Sequence, residues 1–136
     1  MRALFLTLDE ALAIHAHQIA RYGGVLGLRD RTLLESALAM PAAAFAGESL
    51  HPSLAEQAAA YLFHLVKNHP FADGNKRVGL ACALAFLRLN GTRIQASDDE
   101  LVDLVIGVAE GRLAKADVAV FLRERSKPDS RRRSGR

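Results

Sequence analysis

Apolar residues recur along most of this chain at three- and four-residue intervals, the period of a helix with one buried face. Three of these runs open with Ser or Thr followed three residues later by Glu: Thr7 with Glu10, Ser53 with Glu56, and Ser97 with Glu100. In such a capping box each side chain satisfies a backbone N–H that the first turn leaves unpaired, so helices are predicted to start at all three. The first runs from Leu8 to Arg21 with an apolar stripe of Leu8, Leu12, Ile14 and Ile19, and Gly23 and Gly24 end it. A second begins near Asp30, carries Leu33, Leu34, Ala37 and Leu38, and stops at Met40 because Pro41 cannot continue it. The third, Leu54 to Asn68, sends Tyr61, Leu62, Leu65 and Val66 inward. The fourth spans Asn75 to Asn90 with Gly91 as its stop, and its nearly all-round apolar character predicts a central, buried helix. The fifth covers Asp98 to Glu110 and the sixth Ala116 to Arg125. No alternating strand pattern occurs, and Thr92 to Gln95 supports at most a short extended piece. The predicted fold class is all-α, a single compact domain of about six helices.

Length agrees with one domain, since 136 residues of which 50% are apolar can enclose one core. The net charge of +3 suggests nucleic acid until its location is considered. Residues 127–136 hold five basic residues and one acid, which leaves residues 1–126 at −1. The expected organisation is therefore a folded domain over 1–126 and a basic, disordered tail over 127–136, whose composition offers too little apolar surface to order it. Binding of nucleic acid is expected only weakly, through that tail. Cys82 is the one cysteine, so no disulfide forms within the chain, as in a reducing cytoplasm. The apolar stretch from Ala3 to Leu8 is too short for a secretory signal, and Val78 to Leu87 falls short of the ~20 residues of a membrane span. A cytoplasmic protein without membrane association is expected.

The chemistry is concentrated between the third and fourth helices, in His69-Pro70-Phe71-Ala72-Asp73-Gly74-Asn75-Lys76-Arg77. A loop entering a helix N-terminus presents unpaired N–H groups and the positive end of the helix dipole, which favour an anion. Gly74 allows close backbone approach, and Lys76 and Arg77 add positive charge. A phosphate is the natural guest. Asp73 would repel it unless a cation lay between them, which suggests a magnesium ion bridging carboxylate and phosphate oxygens. His69 can accept a proton from an incoming hydroxyl near neutral pH. Singly, each of these residues is ordinary: Asp-Gly is a common turn, Asn75 a reasonable cap, and basic residues on a helix surface require no explanation. Their order between two helices is what carries the signal.

That ordered string resembles the signature of the Fic/Doc family, a His-x-Phe-x-Asp/Glu-Gly-Asn core followed by a basic residue. Arg21-Tyr22-Gly23-Gly24, Gly27-Leu28-Arg29-Asp30, Leu34-Glu35-Ser36-Ala37 before Pro41, and Asn90-Gly91 are similar to the corresponding regions of Doc-type members, so the likeness covers roughly residues 1–125. The resemblance implies a helical Fic/Doc domain. It also implies that His69 deprotonates a Ser or Thr hydroxyl of a target protein, Asp73 holds Mg2+, and Gly74, Asn75, Lys76 and Arg77 hold the phosphates of ATP or another nucleoside triphosphate.

AMP-transferring members of the family carry Gly after the Asn and a second Arg three residues past the first, where this chain has Lys76 and Leu80. The departures resemble Doc, which passes on the terminal phosphate, whereas Gly74 is the Fic-like residue at a position where Doc has alanine. The Doc likeness implies translation elongation factor Tu as target and a toxin blocking translation, with AMP transfer by the same loop as the alternative. An inhibitory Ser/Thr-x-x-x-Glu-Gly/Asn segment is not found, since Ile106 stands four residues before Glu110-Gly111. Inhibition is therefore expected from a Phd-like antitoxin chain packing into a groove. A competing class, a non-catalytic nucleotide- or nucleic-acid-binding module, meets a near-neutral domain surface. No Gly-x-x-x-x-Gly-Lys-Ser/Thr phosphate loop occurs, and His15, His17, His51 and His64 lack zinc-site spacing and are expected to be structural, with His51 solvated.

Overall fold

The structure, a computed structural model, describes residues 2–129. Six helices form it: α1 Leu8–Tyr22, α2 Arg31–Ala39, α3 Leu54–Asn68, α4 Asn75–Leu89, α5 Asp98–Ala109 and α6 Lys115–Glu124. All three predicted capping boxes are made, each with reciprocal side-chain to backbone bonds. Pro41 lies inside a 3-10 turn, Met40–Ala42, that extends α2 by a tighter coil. Between this turn and α3, β1 (Ala44–Phe45) and β2 (Glu48–Ser49) form a small hairpin. No helix among the described residues is long and apolar enough to cross a membrane.

The α3–α4 pair is the centre, and α3 is its more enclosed member. Ala58, Ala59, Ala60, Tyr61, Leu62 and Leu65 of α3 are fully buried, because its alanines admit α2, α4, α5 and α6 on different sides. Along α4, Val78, Cys82, Ala83, Phe86 and Leu87 are buried. Its Ala81, Leu84 and Ala85 instead line an open groove of about 1020 Å3 shared with Ala13, Ile14 and His17 of α1. Gly79 explains how closely the two central helices approach. A Cβ there would lie 2.9 Å from Val66 Cγ2 and 3.1 Å from the Leu62 carbonyl oxygen.

Two expectations need correction. The C-terminal boundary falls beyond residue 126: Ser126–Pro128 forms β4, antiparallel to β3 (Thr92–Ile94), and the Asp129 N–H donates to the Gly91 carbonyl at 2.9 Å. Composition undervalued this segment because the ladder satisfies backbone groups whatever the side chains. Residues 130–136 of the expected tail lie outside the described residues. His51 is not solvated; it is 6% exposed, and its carbonyl accepts the Gln57 side-chain amide at 2.9 Å.

Candidate active site

His69 ends α3 in a left-handed conformation, φ 54 and ψ 52, unusual for a residue with a β-carbon. The turn is held from outside. The guanidinium of Arg29 donates to the His69 carbonyl from Nε at 2.8 Å and to the Asn68 carbonyl from Nη2 at 3.2 Å. The backbone N–H groups of Arg29 and Asp30 both donate to the Pro70 carbonyl, at 2.8 and 2.9 Å. Ala72 N–H donates to Gly27 O at 3.0 Å, and Leu28 bridges Phe71 in antiparallel fashion. The segment between α1 and α2 is thus a strap along the loop. With its torsions fixed this way, the exposed His69 side chain stands at the cleft mouth.

Beneath the loop lies a buried pair. The His15 and Phe71 rings stack with centroids 3.7 Å apart, and His15 Nε2 is 2.8 Å from the Asp73 carbonyl oxygen, to which it donates. Asn75 is also buried, and its amide closes the loop on itself: Oδ1 accepts from Phe71 N at 2.9 Å and Nδ2 donates to Phe71 O at 3.0 Å. The Asn75 side chain is thus committed to the loop, which leaves its backbone N–H as the group it can offer an anion. Its backbone N–H, with those of Lys76 and Arg77, opens the first turn of α4, whose N-cap Gly74 supplies no side-chain bond.

The Asp73 carboxylate accepts from Val25 N at 3.1 Å and from Gly74 N at 2.8 Å. Those two bonds, assisted by Arg77, hold its carboxyl below the ordinary carboxylate range. Gly24 makes this possible: at φ 117, a Cβ there would come within 2.7 Å of Asp73 Oδ2. His69, Asp73, Gly74, Lys76 and Arg77 line one cleft of about 520 Å3, with Asn75 at its floor and Ala109 of α5 on the far wall. Arg77 is tied by Nη1 to the Gln18 carbonyl at 3.3 Å, whereas Lys76 is exposed.

A magnesium ion fits this donor set. No group of three or more metal-ligating side chains occurs among the described residues. Mg2+ is commonly held by one or two carboxylates, with substrate phosphates and water completing its shell. One ionised carboxylate at the edge of a phosphate-sized anion site meets that pattern, with each Asp73 oxygen retaining acceptor capacity beyond its N–H bond.

The Fic/DOC family sequence model matches residues 5–87, a span that includes the strap, the loop and nearly all of α4. The chain belongs to the Fic/Doc family. Within it, the similarity runs to Doc-type members. The chain is 39% identical over 115 residues to "Protein kinase doc" of Escherichia phage P1, covering 85% of this chain and 90% of the relative. It is 42% identical over 92 residues to "Toxin Doc" of Mycolicibacterium smegmatis, covering 68% and 70%.

Against the Fic/Doc signature, the motif residues were readable because they are contiguous. His15, Gly24, Val25 and Arg29 were not assigned to the site. The double glycine read as a helix stop, and nothing in local spacing pairs Arg29 with His69, forty residues away. The Arg-Tyr-Gly-Gly and Gly-Leu-Arg-Asp likenesses were the signals pointing to that strap.

Proposed function

We propose that this Fic/Doc protein transfers the terminal phosphate of ATP, or another nucleoside triphosphate, to a Ser or Thr hydroxyl of a protein, and that it acts as the toxin of a toxin–antitoxin pair. Translation elongation factor Tu is the proposed target, with arrest of translation as the outcome. The names of the two Doc relatives, a protein kinase and a toxin, support both halves of this reading.

The observation that carries it is the setting of Leu80. At the position where AMP-transferring members place a second Arg, Leu80 turns with Val102, Val105 and Ile106 into an apolar pocket of about 200 Å3 beside the cleft. The cations that line this pocket are Lys76 and Arg77, both from the first turn of α4, and Leu80 adds none, so among the lining residues the charged grip lies in that turn. A terminal phosphate held in that turn faces His69. In the proposed step His69 takes the target's hydroxyl proton, the hydroxyl oxygen bonds to the γ-phosphorus, and the bond to the β-bridging oxygen breaks to leave ADP. Mg2+ held by Asp73 would offset charge on the phosphates. Gly74 favours the other reading, AMP transfer, because it is the Fic-like residue where Doc has alanine; at φ 77 an alanine Cβ there would lie 3.2 Å from Ile19 Cδ1.

A partner is proposed as well: an antitoxin segment packing into the apolar groove between α1 and α4, whose walls include Ile14, Leu84 and Ala85. Induced expression in a bacterial host tests the toxin reading. Growth and protein synthesis are expected to stop with the native chain and to continue with His69→Ala at equal soluble level. Equal arrest by the variant would remove the loop from the effect.

A further inference from the structure

A second polar cavity, about 440 Å3, lies between α6 and the N-terminal part of α3. Glu56 on its wall is separated from His69 by nearly the length of α3, roughly 20 Å at 1.5 Å per residue. Its polar lining is His51, Glu56, Lys115 and Arg123, set between Leu50 and Val120.

The charges there do not balance. Glu56 is the one carboxylate lining the cavity among the described residues, and its Oε1 is committed to the capping box, accepting from Ser53 N at 3.2 Å and Ser53 Oγ at 2.7 Å. Asp117 on α6 turns back to accept from Ala114 N at 2.8 Å. Neither Lys115 nor Arg123 is in an ion pair among the described residues. The Lys115 ammonium instead donates to His64 Nε2 at 3.0 Å. An ammonium has no acceptor, so the His64 ring is neutral there, with its proton on Nδ1. Burial, then Lys115, then His51 push the His64 pKa down to about 4. His51 is itself 6% exposed, and its Nδ1 has no hydrogen-bond partner among the described residues. Two cations and the His51 imidazole thus line a concave site whose one lining carboxylate among the described residues already serves a helix cap, and His64 is joined to it through Lys115.

We propose that this cavity binds a small free oxyanion of the sulfate or phosphate class, held by the Lys115 ammonium and the Arg123 guanidinium beside His51. It is separate from the cradle at α4 and does not depend on the reaction proposed for it. A dianion beside Lys115 stabilises the protonated imidazoles that the empty cavity disfavours.

Sulfate is the suitable probe because its charge is constant over the pH range in which histidines titrate. The imidazole signals of His51 and His64 would be followed by NMR as pH is varied, in chloride and in sulfate at matched ionic strength, with the full chain. Sulfate is expected to raise the His64 pKa saturably, by about one unit or more. Lys115→Met should abolish the response and Arg123→Gln weaken it several-fold. The exposed Arg123 can be replaced without disturbing the core, so this second variant decides the matter if the first fails to fold. A second arm with ATP distinguishes the sites: ATP should move the Gly74 and Lys76 amides and leave His64 unchanged. Identical His64 titrations in the two salts would overturn the proposal, as would a non-saturating shift or one undiminished in both variants.

Discussion

A histidine at φ 54 persists only where its surroundings impose it, and at His69 the imposing group is Arg29. One guanidinium holds the carbonyls on both sides of the left-handed turn, so Arg29 is a positioning residue whose influence reaches chemistry through the orientation of His69. Arg29→Ala is expected to lower kcat for transfer by about 10–100-fold while nucleotide affinity changes little, the signature of lost alignment rather than lost binding. A parallel loss of affinity measured by titration with ATP would show instead that the strap shapes the cradle. Asp73 yields a pH prediction whose sign follows from its bonds. Its folded pKa lies below the ordinary value of 3.8, so its ionised form contributes stability that is present above that value and lost as pH falls through the folded pKa. Asp73→Asn should therefore lower the melting temperature at neutral pH, and the gap from the native chain should close on acidification below pH 3.8. Thermal melts across that range check it; a gap that widens in acid would contradict the assignment.

At the level of elements, the closeness of α3 and α4 places His69 opposite the first turn of α4. Gly79 sets that distance. Gly79→Ala is expected to destabilise the fold by about 1–3 kcal/mol, because the added Cβ meets the Leu62 backbone as well as the movable Val66 side chain. Denaturant unfolding measures this, and an unchanged midpoint would mean that the pair can separate without cost. The helices themselves were legible from sequence to within a residue or two, because capping boxes and apolar periodicity are local signals. What was not legible is non-local. The β3–β4 ladder joins Thr92–Ile94 to a stretch read as tail, and the strap reaches the loop only where α1 packs on α4 and α2 on α3. His51 was misjudged for the same reason, since burial of a loop histidine depends on what packs over it.

On the scale of the whole molecule, the chain confines its chemistry to one end of a helical domain. The Asp73 carboxylate, the basic first turn of α4 and the His69 ring converge on one cleft, while the groove between α1 and α4 and the cavity at α6 lie elsewhere. Cys82, buried with its thiol pushed up to about 12, contributes packing and no reactivity. The motif residues were legible because His69, Asp73, Gly74, Asn75, Lys76 and Arg77 fall within nine consecutive positions, and the direction of transfer is the point on which Leu80 and Gly74 disagree. The decisive measurement is therefore the position of label on the product. Purified chain would be incubated with elongation factor Tu, magnesium and ATP labelled in one reaction at the γ-phosphate and in another at the α-phosphate, with His69→Ala alongside. Transfer of the terminal phosphate predicts γ-label on the target, none from α-labelled ATP, and neither in the variant; α-label on the target would contradict it and establish AMP transfer by the same loop.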